Sequence, residues 1–153
     1  MLSVRNLINT PELTRDDIEQ ILDCAHTFEE VNSRTIKKLP TLRGRTVVNL
    51  FLEPSTRTKS SFELACKRLG ADTLSVAGSS SSVVKGESLV DTVKTLDSMG
   101  VDRYICRAKN AGTPNIVAAT SQARVVNAGD GKHAHPTQAL LDLYTIRKRF
   151  GHI

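Results

Sequence analysis

The chain has 153 residues, 39% of them apolar and 24% charged, and carries a net charge of +5 at pH 7. That length and mix suit one globular domain with a real core, and exclude a disordered chain, a membrane span of ~18 apolar residues or a secretory leader, so a cytoplasmic location is expected. The basic residues are scattered and aromatics reach only 4%, poor material for stacking bases, so nucleic acid is not an expected partner.

In chain order, Thr14 caps a predicted helix over residues 14–31, with Ile18, Ile21, Leu22, Ala25 and Phe28 on one apolar stripe. Residues 45–52 hold Val47, Val48, Leu50 and Phe51, the apolar run of a buried strand. A helix follows over 56–69, stopped by Gly70, and a second strand over 73–77. Gly78 and the serines after it predict a loop. Leu89, Val93 and Leu96 mark a third helix ending near Gly100. A strand over 102–106, a short helix over 113–120 and a strand over 124–127 come next. The last helix, 136–150, has Pro136 in its first turn and Gly151 just past its end. Strands alternating with helices predict an α/β three-layer sandwich, a central four-stranded parallel sheet flanked by helices. Such sheets bind ligands at the carboxyl ends of their strands.

Cys24, Cys66 and Cys106 are an odd number with no Cys-x-x-Cys spacing, which disfavours a zinc site. Each sits in an apolar pattern and is expected to be a buried, reduced thiol. Arg147, Lys148 and Arg149 form the one dense basic run and are expected as a solvated helix end, where cations suit the dipole. His26, His133 and His152 belong to no motif.

The segment Phe51-Leu52-Glu53-Pro54-Ser55-Thr56-Arg57-Thr58 leaves a strand and opens a helix. A helix N-terminus has unpaired N–H groups and positive potential, which suits an anion. One hydroxyl there is accounted for by ordinary capping. Three hydroxyls and a guanidinium within four residues exceed that need and point to phosphate. Other phosphate motifs fail: no Gly-x-Gly-x-x-Gly follows a strand, and Gly131-Lys132 lacks the upstream Gly and downstream Ser or Thr of a Walker loop.

Phe-x-x-x-Ser-Thr-Arg-Thr resembles the signature of the carbamoyltransferases. Residues 80–88, which contain Lys85-Gly86-Glu87, resemble a loop of the aspartate branch, and His135-Pro136-Thr137-Gln138 resembles the His-Pro-Thr-Gln motif of the same family. Glu53, Thr137 and the Lys85 segment favour aspartate over ornithine as the acceptor. The resemblance implies a carbamoyl-phosphate-binding domain over residues 1–150, the start of an interdomain linker at 151–153, and an aspartate-binding half lying outside this chain.

It also implies roles. Ser55, Thr56, Arg57 and Thr58 hold the phosphate, and Arg107 reaches both the phosphate and the carbonyl oxygen. Thr58 and His135 also face that oxygen, and Gln138 faces the carbamoyl nitrogen. Ser81 and Lys85 enter the site from a neighbouring subunit, so the working unit is a homotrimer, with a regulatory chain or a dihydroorotase as further potential partners. No metal or organic cofactor is implied. Taken without the family, Arg107 reads as an exposed strand-end charge, His135 as a structural histidine and Lys85 as solvated surface. One departure stands out: Ala108-Lys109 follow Arg107 where the family usually has His-Pro, leaving the shape of that turn open. The alternatives are a non-catalytic carbamoyl-phosphate-binding or regulatory homologue, and an ornithine-type carbamoyltransferase.

Overall fold

The central strand β1 (Thr46–Phe51) is buried from Val47 onward, because its alternating side chains feed two separate cores. In the computed structural model, which describes residues 1–78 and 87–153, β1 lies between β2 (Asp72–Ala77) and β3 (Arg103–Ala108), and β4 (Arg124–Asp130) completes the sheet. The order is β2-β1-β3-β4 and all pairings are parallel.

On one face, Val48 and Leu50 meet Tyr104, Cys106 and Val125, covered by Val93 and Leu96 of α3 (Leu89–Asp97) and Val117 of α4 (Thr113–Thr120). On the other, Val47, Phe51, Ile105 and Ala128 pack with Cys66 and Phe62 of α2 (Thr56–Arg68). Helix α1 (Arg15–Ser33) packs on α5 (Pro136–Phe150). The expected three-layer α/β sandwich is the observed one.

Thr14 caps α1 in a full capping box with Asp17. The buried Asp17 carboxylate also accepts from the Ser3 N–H at 2.7 Å and its hydroxyl at 2.5 Å, bonds that hold it well below the usual carboxylate range. They tie the first residues of the chain to α1. Residues 6–8 run beside β4: Leu7 bridges Val126 in parallel, and Asn6 Oδ1 accepts from the Val125 N–H. No periodicity announces this edge segment, so it was not expected.

Two expectations change. Cys66 and Cys106 are buried as expected, and burial pushes the Cys106 thiol up to about 12. Cys24 is exposed instead, since it lies off the apolar stripe of α1. The basic end of α5 is more than a solvated terminus. Arg147 Nη1 lies 2.8 Å from Asp23 Oδ1, and Lys148 pairs with Glu29, so the run also fastens α5 to α1. Beside that contact, Phe28, Val31, Leu64, Leu69 and Tyr144 line an apolar cleft of about 590 Å³. Among the described residues, no helix is long and apolar enough to cross a membrane.

Candidate functional site

The chain leaves β1 toward β2 on one side and later crosses to β3 on the other. The strand order therefore reverses between β1 and β3, the place where parallel α/β sheets open a ligand crevice at their carboxyl ends. Leu52 N–H donates to the Arg107 carbonyl at 2.8 Å, holding the two strand ends side by side. Above them Arg107 Nε approaches Glu53 Oε1 at 2.7 Å. The N–H direction misses the oxygen, so this is an ion pair and Nε lacks a hydrogen-bond acceptor among the described residues. The other end of the guanidinium is fixed, with Nη1 donating to the Ala128 carbonyl at 2.9 Å.

Ser55, the residue before α2, is extended and makes no side-chain capping bond. No hydrogen bond joins the side chains of Ser55, Thr56, Arg57 or Thr58 to another described residue. The capping account of this turn is thus not realised. Its hydroxyls and the exposed Arg57 surround the positive end of α2, while Glu53, Pro54, Ser55, Thr56, Lys59 and Gly78 line a cleft of about 400 Å³ beside it.

His135, which follows β4, comes beside Arg107. Gly129 adopts φ +113°, a conformation that disfavours L side chains, and a Cβ there would lie 2.9 Å from Arg107 Nη1 and 3.3 Å from His135 Cδ2. The absence of a side chain lets Arg107 and His135 share one spot. Burial, and then the neighbouring Arg107 charge, lower the His135 pKa from its ordinary 6.5. His135 is therefore neutral at pH 7. Its titration by NMR is expected to show a midpoint below 6.5; a midpoint at or above 6.5 would mean that burial and Arg107 together do not act on it in solution. Because protonation is harder in the folded state, this histidine removes stability as pH falls through 6.5 and below, and is without effect where it is neutral in both states.

Of the residues expected from sequence, Arg107 and His135 meet across Gly129, and Glu53 joins Arg107 to the wall formed by Ser55 and Thr56. Gln138 is exposed one turn into α5, its amide donating to Asp142 Oδ1 at 2.9 Å. Ser81 and Lys85 lie outside the described residues. Two buried residues were not expected in any role, Asn127 and Asp130, which bind the segment leading to His135. No group of three or more His, Cys, Asp or Glu side chains suited to a metal is gathered among the described residues.

A family model described as "Aspartate/ornithine carbamoyltransferase, carbamoyl-P binding domain" matches residues 5–148. The aspartate carbamoyltransferase catalytic subunit of Halothermothrix orenii is 52% identical over 152 residues, covering 99% of this chain and 49% of its own. That of Frankia casuarinae is 54% identical over 149 residues, covering 97% and 47%. Among solved structures, the catalytic subunit of M. jannaschii aspartate transcarbamoylase superposes with a TM-score of 0.87 at 41% identity, over 97% of this chain and 48% of that one. Aspartate transcarbamoylase from Trypanosoma cruzi, in complex with carbamoyl phosphate and aspartate, gives 0.89 at 35% identity, over 98% and 46%. The chain thus spans about half the length of the relatives it matches.

Proposed function

The chain belongs to the aspartate/ornithine carbamoyltransferase family as its carbamoyl-phosphate-binding domain, and from that premise we propose that its β1–β3 crevice grips carbamoyl phosphate for transfer to the amine of L-aspartate. What supports the reading is that Arg107 lies beside His135 across Gly129 and pairs with Glu53, just ahead of a helix N-terminus whose three hydroxyls bond to no other described residue.

Ser55, Thr56, Arg57 and Thr58 hold the phosphate, with α2 adding its N–H groups. Arg107 spans phosphate and carbonyl oxygen. Thr137 Oγ1 lies 3.2 Å from His135 Nδ1; when that hydroxyl donates, the imidazole proton sits on Nε2 and points a donor at the carbonyl. A neutral donor strengthens its bond as the oxygen gains charge in the tetrahedral intermediate. The amine nitrogen forms a bond to the carbamoyl carbon, the bond from that carbon to the phosphate oxygen breaks, and the leaving phosphate accepts the amine proton. Thr58 adds a donor to the oxyanion, and Gln138, released from Asp142, orients the carbamoyl nitrogen.

The rest of the reading concerns a full-length subunit. A second half supplies the aspartate site, while Ser81 and Lys85 serve a neighbour's site in a cytoplasmic homotrimer that a regulatory chain or dihydroorotase could join. Aspartate is preferred to ornithine because the named relatives are aspartate enzymes and because Glu53, Thr137 and Lys85 are the marks by which the sequence resembles the aspartate branch.

Glu53 competes with the substrate for Arg107. Replacing it with glutamine removes the carboxylate and leaves the guanidinium to the anion. Calorimetry should show Glu53→Gln binding carbamoyl phosphate roughly five-fold tighter, about the 1 kcal/mol of a partly exposed ion pair. Unchanged or weaker binding would mean that Arg107 does not meet the phosphate.

A further inference from the structure

Asp130 is fully buried at the end of β4, and among the described residues no arginine or lysine pairs with it. Its hydrogen-bonding neighbours are all nitrogens, and the buried Cys106 thiol lies close enough to feel its charge. Oδ2 accepts from the Gly112 N–H at 2.8 Å, and Oδ1 accepts from the Ala134 N–H at 3.1 Å and from Asn127 Nδ2 at 2.9 Å. His133 Nδ1 lies 2.9 Å from Oδ2. Gly112 belongs to the turn that follows Arg107, whereas His133 and Ala134 belong to the turn that precedes His135. One carboxylate therefore spans the two arms that carry the two carbonyl-facing side chains.

Further bonds close the same joint. The Asp130 N–H returns to the Ala134 carbonyl at 3.1 Å, and Asn127 Nδ2 reaches that carbonyl at 3.3 Å. The Gly131 N–H donates to the Ala108 carbonyl at 3.0 Å, and Gly131 packs so closely on the Lys109 carbonyl that a Cβ would overlap it. The Ala108-Lys109 turn, where this chain departs from the usual His-Pro, is thus shaped by backbone bonds from the β4 side and by the Gly112–Asp130 bond.

We propose that Asp130 is a positioning residue, a buried clamp that sets the Arg107–His135 pair by holding both turns to one carboxylate. This rests on the reading of the crevice as the carbamoyl phosphate site. A carboxylate is required because it is acceptor-only. An amide in its place turns an NH₂ toward N–H donors and gives up at least one turn. Burial alone would raise this carboxyl's pKa, but the bonds from Asn127, Gly112, His133 and Ala134 outweigh it and keep the acid ionised.

The test compares the chain with Asp130→Asn by calorimetric titration of carbamoyl phosphate and by NMR titration of His135. The folded variant, checked by circular dichroism, should bind roughly ten-fold weaker or worse, the scale of one lost charge-assisted hydrogen bond. Its His135 midpoint should move as well. Binding within two-fold of the parent with an unchanged midpoint would overturn the clamp. Should Asp130→Asn not fold, His133→Ala removes one donor at an exposed position, and roughly two-fold weaker binding with a moved midpoint is expected; no change in either would overturn the clamp. If the parent chain itself does not bind, the reading of the site fails, and the His135 midpoint still decides the clamp.

Discussion

Arg107→Ala is expected to weaken carbamoyl phosphate binding by roughly two to three orders of magnitude. Each charge-assisted hydrogen bond to an anion contributes about 1.5–3 kcal/mol, and a guanidinium spanning phosphate and carbonyl makes at least two. Their loss corresponds to about 3–6 kcal/mol, where every 1.4 kcal/mol is a factor of ten, and salt screening favours the lower half of that range. The variant also leaves Glu53 without its partner at the mouth of the crevice, so an approaching anion meets an uncompensated carboxylate. Arg107→Lys should recover only part of the loss, because a point charge cannot make the planar two-pronged contact. The pattern is checked by calorimetry on the three proteins at one ionic strength, since these charges are partly screened by salt. Equal affinity for all three would remove Arg107 from the site.

The second large effect concerns turnover. The 153-residue chain supplied with carbamoyl phosphate and aspartate is expected to form carbamoylaspartate at least about 10⁵-fold more slowly than a two-domain relative. Fixing two reactants against each other is worth as much as about 7–11 kcal/mol, and each 1.36 kcal/mol is a factor of ten in rate. The crevice described here presents groups for the carbamoyl donor, while the chain spans only 49% of the length of a relative such as the Halothermothrix orenii subunit. A colorimetric assay for the ureido product measures the rate directly. Robust synthesis by this chain would show that these residues alone orient aspartate as well.

Most of the fold was legible because local and global signals agree here. Val47, Val48, Leu50 and Phe51 read as a buried strand and are buried, and Gly151 in a left-handed conformation ends α5 where the pattern stops. The misses are places where tertiary contacts decide. β4 runs on through Asp130, three residues past the expected strand end at Asn127, because Gly129 gives Arg107 and His135 room to approach and Asp130 is satisfied by donors from distant turns. A single Asp between glycines carries no local sign that it is buried. Residues 6–8 gain their extended form only by lying beside β4. Cys24 reads as core by its neighbours in sequence and not by its helical angle.

The site divides in the same way. Ser55-Thr56-Arg57-Thr58 announced itself by an excess of donors over what a cap requires, and those side chains bond to no other described residue. Glu53 was legible as a mark of the aspartate branch, yet its ion pair with Arg107 depends on β1 and β3 being neighbours, a fact of topology. The neutral state of His135 likewise follows from burial and from Arg107, two features of packing with no local signal.

On the proposed reading, this chain by itself recognises carbamoyl phosphate at the carboxyl ends of β1 and β3. Calorimetric titration of the chain with carbamoyl phosphate, or with the stable phosphonate in which CH₂ replaces the bridging oxygen, tests it most directly. One saturable site, weakened by competing inorganic phosphate and lost in Arg107→Ala, is the predicted result. No saturable heat, or the same affinity in Arg107→Ala, would contradict it.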